Sequence, residues 1–161
     1  MIDSRKVLIF GGLTLSIWGM AYGIWSAVFA EHQTLDGLGA ALASGFMRAA
    51  ENRMAESQAA LGDAASRSFV YVRQVDAHGH WIGLGLLLLI LGIGFDRVGV
   101  KERARMFIAL MLLAGAILFP LGVLLETWDR GMGPQAVALV GSALVILGLC
   151  GAALGFARGD P

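Results

Sequence analysis

Charge is scarce in this sequence. Of 161 residues, 15% are charged, against about a quarter in soluble domains. Hydrophobic residues make up 57%, and they fall in long uninterrupted runs, the pattern of membrane helices. Cysteine occurs once, at Cys150, inside the last apolar run. A lone cysteine excludes an internal disulfide and any CxxC metal or redox motif. Neither sign of charge dominates: 12 basic residues balance 12 acidic ones. Net charge therefore offers nothing to a nucleic acid, and no such partner is expected.

Other chemistries are missing with their motifs. There is no His-Glu-x-x-His zinc site and no serine nucleophile elbow. The glycines sit inside apolar runs rather than between a strand and a helix, so no phosphate-binding loop exists. No carboxylate lies in the middle of an apolar run, which argues against a proton or ion path and hence a transporter.

What is present is four apolar runs, at residues 7–29, 77–95, 106–125 and 136–157. Each is long enough to cross about 30 Å of hydrocarbon. The first resembles a signal peptide in having Arg5 and Lys6 before it. It exceeds the usual h-region of about 7–15 residues, so it is read as a first span. Pro120 lies inside the third run, where a proline removes one helical hydrogen bond and favours a kink. Between spans one and two, residues 31–76 carry Leu35, Leu38, Leu42 and Phe46 at helical spacing, with arginines and glutamates on other faces. That pattern predicts an amphipathic helical segment outside the bilayer, with a break at Gly62-Asp63. The expected fold is an all-α integral membrane protein, a four-transmembrane-helix bundle with this helical segment between helices 1 and 2.

Lysine and arginine placement predicts orientation. Arg5, Lys6, Arg97, Lys101, Arg103, Arg105 and Arg158 fall at the termini and in the loop between spans two and three. The other short loop has only Arg130. Both termini are expected in the cytoplasm of a bacterial inner (plasma) membrane, with residues 31–76 on the periplasmic side.

Small residues recur every seven positions. The sets are Gly12, Gly19 and Ser26; Gly85, Gly92 and Gly99; Gly115 and Gly122; Gly141, Gly148 and Gly155. Seven residues is nearly two turns, so each set lies along one face. Such stripes let helix backbones approach closely in lipid. They predict a compact bundle, or packing against other membrane subunits or a second copy of the chain.

Two of three histidines occur in Asp76-Ala77-His78-Gly79-His80-Trp81, at the mouth of span two. His78 is seven residues before Gly85 and so shares its small-residue face. His80 lies about 200° away on a helix, so the two bind one metal only if Gly79 unwinds. Glu126 falls on the small-residue face of span three at the same boundary. It either pairs with His78 or ends the span in water beside Trp128. His32 aligns with Trp18 and Trp25 at seven-residue spacing, and Trp81 reads as an interfacial anchor. The candidate ligands are thus His78, His80, His32 and Glu126.

The run His78-Gly79-His80-Trp81-Ile82-Gly83-Leu84-Gly85 resembles the His-x-His-x4-Gly helix opening of short four-helix membrane proteins related to heme–copper oxidase subunit I. Ala114-Gly115-Ala116-Ile117-Leu118-Phe119-Pro120-Leu121-Gly122 is similar to their following helix. The resemblance covers about half the chain, from Val75 to Phe156, and leaves residues 31–76 unexplained. It implies a heme b site. His78 or His80 would supply one ligand, and His32, a second copy or a partner the other. Three functions follow as expectations: an accessory subunit of a larger membrane complex, respiratory or metalloenzyme in kind; a heme- or copper-binding protein for electron transfer or metal delivery; or an enzyme on a quinone or lipid, with His78 as acid–base group.

Overall fold

The computed structural model describes residues 3–159. Five α-helices account for nearly all of them: α1 (Ser4–Trp25), α2 (Glu31–Ala50), α3 (Met54–Gly94), α4 (Glu102–Leu125) and α5 (Met132–Arg158). A π-helical turn, Ser26–Ala30, joins α1 to α2, and a 3-10 turn, Phe95–Arg97, closes α3. The first two helices form one rod, Ser4–Ala50. Among the described residues four helices are thus long and apolar enough to cross a membrane, and two of them are far longer than a crossing needs. At about 1.5 Å per residue, the 41 residues of α3 extend about 60 Å.

These two long helices run antiparallel as a single hairpin. Its turn is Glu51-Asn52-Arg53, not Gly62-Asp63 as the sequence pattern predicts. Asn52 sits at φ 59°, in the left-handed region that asparagine tolerates better than most residues. Arg53 stabilises the turn by ion pairs to Glu51 (3.2 Å) and Glu56 (2.6 Å), and Arg48 reaches Glu56 at 2.6 Å. Hydrogen bonds to Glu56 and Glu51 raise the Arg53 pKa above its ordinary value. Gly62 remains helical, because one mid-helix glycine costs only about 1 kcal/mol. The α2–α3 seam is built from small residues: Ala41, Gly45, Ser57 and Ala64 are buried there. Ser57 Oγ donates to Gly45 O across it at 2.8 Å.

The glycine stripes pack as their seven-residue register predicts. A Cβ added to Gly12 would stand 2.6 Å from Gly85 O, and one on Gly85 would stand 2.8 Å from Gly12 O. Gly19 abuts Trp81 and Ile82, and Gly92 abuts Leu8 and Ile9. Those contacts zip α1 to α3. On the other side, Gly115 meets Gly141 O at 2.7 Å from its ideal Cβ, Gly122 meets Ala138, and Gly148 meets Leu112, which zips α4 to α5. The two pairs join through α4, which packs on both α3 and α1.

The bundle is open rather than compact. α5 packs on α4 and has little or no contact with α1. Its far end is held by the loop after α3, where Gly99 N–H donates to Gly155 O at 2.9 Å. The N-terminus is tied to the same end by Ser4 N–H donating to Glu102 Oε1 (3.0 Å) and by an Arg5–Asp96 ion pair (2.9 Å). α4 continues through Pro120 without interruption.

This packing separates two kinds of glycine. Gly115→Val should cost about 2 kcal/mol or more by overpacking against α5 backbone. Gly62→Ala, with nothing within 4 Å of the new methyl, should gain about 0.5–1 kcal/mol of helix stability. Unfolding of the two variants in detergent micelles checks both signs.

Candidate functional site

The histidine pair lies in α3, where the hairpin leaves the packed ends of α4 and α5. Because α3 is helical straight through His78-Gly79-His80, the two imidazoles point to different neighbours. His78 is half-buried on the α1 side, and a Cβ on Gly23 would stand 3.1 Å from its Cδ2. Its Nδ1 lies 3.4 Å from Gln74 O, one turn back in its own helix. His80 is exposed on the α4 side and rests on Phe119, with ring centroids 4.7 Å apart. Gly79 does not unwind the helix, so no chelating pair forms.

Glu126 does not meet His78. Its Oε2 lies 2.8 Å from Arg73 Nε. The contact is an ion pair rather than an aligned hydrogen bond, since the Nε–H has no hydrogen-bond partner. Arg73 also stands 3.6 Å from Asp76, so one guanidinium serves two carboxylates. Beside it, Phe69 lies under two cations, Arg73 at 5.0 Å and Arg130 at 4.4 Å from its centroid. Arg130 further donates to Ser66 Oγ at 2.8 Å. This cluster ties the α4–α5 turn to α3. The sequence pattern marks Arg73 as part of a solvated face. The signal that identifies it is its position one turn before Asp76 and two turns before His80, on the side of α3 that faces α4.

His32 stands apart. The π turn inserts a residue between Trp25 and His32, so the seven-residue line through Trp18 and Trp25 is broken before it reaches the histidine. His32 is exposed on α2. Its neighbour Glu31 instead accepts from Tyr71 Oη at 3.0 Å, which pins the base of the hairpin. Trp81 is corrected as well. It is 4% exposed, not an interfacial anchor. Trp18 and Tyr22 meet it edge-on at 6.3 and 5.6 Å.

The four candidate ligands are therefore dispersed. Among the described residues no three His, Cys, Asp or Glu side chains come together to hold a metal ion. A heme b fits no better. His78 and His80 serve opposite sides of α3, and His32 is displaced by the π turn, so the chain does not aim two axial ligands at one space. An apolar cleft of about 360 Å³ opens between α1, α3 and α4, lined by Thr14, Trp18, Trp81, Ile117 and Leu124 among others. No ionisable group lines it.

Two measurements probe this region. Arg73→Ala should cost about 2 kcal/mol, and a double-mutant cycle with Glu126→Gln should show coupling of about 1 kcal/mol. The Tyr71–Glu31 bond raises the tyrosine pKa above its ordinary value of 10.0. Its contribution to stability is complete below pH 10.0 and is lost as pH rises through the raised folded pKa. Unfolding followed over about pH 9–11 should show a loss in the native chain that Tyr71→Phe lacks. No protein-family model, no curated protein and no solved structure shows a significant match to this chain.

Proposed function

We propose that this chain is a small multi-pass membrane subunit without catalysis of its own, whose role is to present a rigid helical hairpin at one face of a bilayer to the rest of a membrane complex. The observation that carries the reading is the continuity of α3. It is one helix from the hairpin tip to the far end of the packed bundle. A partner bound at the tip is thereby coupled mechanically to the helices in the membrane. Each arm projects about 30 Å, given the 20 residues of α2. The asymmetric distribution of lysine and arginine favours an orientation with both termini in the cytoplasm and the hairpin on the opposite, periplasmic side of a bacterial inner membrane.

The state of the polar groups supports the same reading. At the hairpin end Glu126 is engaged by Arg73, and Arg130 by Ser66 and Phe69. These contacts hold the α4–α5 turn against α3 and leave no convergent set for a ligand. A heme or copper role would need donors from another chain.

Purification from native membranes tests this directly. The expected product has no Soret band and no stoichiometric metal, co-purifies with other membrane proteins, and keeps them in His78→Ala. Stoichiometric heme or copper that disappears in His78→Ala would overturn the proposal in favour of a cofactor protein.

A further inference from the structure

The two ends of the molecule hold charge in different ways. At the hairpin end Arg48, Arg53, Arg67 and Arg73 each pair with a carboxylate. At the other end α1 and α4 begin and α3 and α5 finish. Among the described residues, seven lysines and arginines there stand with three carboxylates. All three carboxylates are used within the scaffold. Asp3 caps α1 by accepting from Arg5 N–H at 3.3 Å. Asp96 holds the Arg5 guanidinium at 2.9 Å. Glu102 accepts from Ser4 N–H at 3.0 Å and pairs with Arg105 at 3.2 Å. Lys6, Arg97, Lys101 and Arg103 are exposed, and among the described residues none of them makes an ion pair. They are not loose tails. The bonds that occupy the carboxylates also tie α1, α4 and the turn after α3 together, and Arg105 Nη1 adds a bond to Asp96 O at 3.2 Å. The four cations thus come from three elements held at one end of the bundle. Like charges gathered in this way repel one another, which favours a counter-charge from outside the chain.

We infer that this end of the bundle binds the phosphate headgroups of anionic phospholipids through Lys6, Arg97, Lys101 and Arg103. The inference rests on the membrane reading above, and it needs only that this end lies at a bilayer surface. Depth selects the partner. Lys6 adjoins the apolar run that starts at Val7, Arg97 lies two residues past Phe95, and Arg103 lies three before Met106. At about 1.5 Å per residue these three stand within about 5 Å of the hydrocarbon, inside a headgroup layer about 5–8 Å deep. A phosphodiester is already present in that layer, whereas an acidic protein would have to enter it. Lysine and arginine stems are long enough to lie along apolar surface and turn their charges to phosphate. Basic clusters beside a span attract anionic lipid in this way. The consequence reaches the hairpin. Because α3 is one helix from this end to the tip, anchoring its base at the headgroups sets how far the hairpin stands from the opposite face.

Lipid selection by the full chain tests this. The protein is reconstituted in mixed phosphatidylcholine and phosphatidylglycerol bilayers, and nitroxide-labelled lipids report which species it immobilises. Phosphatidylglycerol should be favoured by about threefold or more at low salt, and the preference should fall toward one in about 0.5 M NaCl, where charges are screened beyond about 4 Å. Equal affinity for the two lipids overturns the proposal, and so does a preference indifferent to salt. The Lys6→Gln/Arg97→Gln/Lys101→Gln/Arg103→Gln variant should lose the preference, and Arg48→Gln/Arg67→Gln, at the hairpin end, should keep it. Selection unchanged in the first variant, or lost in the second, overturns the assignment to this patch. If the first variant also sheds a co-purifying protein while its lipid selection is unchanged, the patch is a protein contact instead. The salt titration of the native chain decides the matter if the fourfold variant fails to fold. Inorganic phosphate should displace no more lipid than NaCl of equal ionic strength, and specific displacement by phosphate overturns lipid as the source of the headgroup. Extraction with alkaline carbonate separates the two readings. A chain that stays in the membrane but selects no lipid sinks this inference alone, and a chain released by carbonate sinks the membrane reading with it.

Discussion

The close approach of helix backbones at glycine is the constraint on which the rest of the structure depends. At Gly12 against Gly85, and at Gly115 against Gly141, no side chain stands between the helices. With the four helices read as spans, no hydrophobic effect drives them together in lipid. Dispersion between close surfaces has to hold them instead. Each dispersion contact contributes only about 0.1–0.2 kcal/mol, so the helices must touch along much of their length to gain enough. Seven-residue spacing achieves that, because it returns a small residue to the same face at every second turn.

That constraint also accounts for the openness of the bundle. The stripes pair α1 with α3 and α4 with α5, and each helix has one stripe to spend. The two pairs then join through larger side chains around α4, leaving the apolar cleft beside Trp81. The α2–α3 hairpin uses the same device. Ala41, Gly45, Ser57 and Ala64 bring α2 and α3 close, as glycines bring α1 and α3 close. A seam of small residues buries little apolar area, so the large side chains of the hairpin, Phe46 and Leu61 among them, are left on its surface.

The fold was largely legible from residue spacing, because both the apolar runs and the glycine register are local, periodic signals. Gly12, Gly19, Gly85 and Gly92 meet as their spacing predicts, as do Gly115 and Gly141. The turn of the hairpin was not legible. Gly62-Asp63 is the stronger breaker by composition, but a helix with a partner along its whole seam absorbs one glycine, and Asn52 supplies the left-handed residue at lower cost. The site was legible as a location and not as a constellation. His78 and Glu126 do sit at one end of the bundle. Spacing cannot report that Arg73, from the same helix as His78, reaches Glu126. Nor does it reveal the π turn that takes His32 off the line of Trp18 and Trp25. The first depends on which side of α3 faces α4, a tertiary fact, and the second on a local change of helix type between α1 and α2.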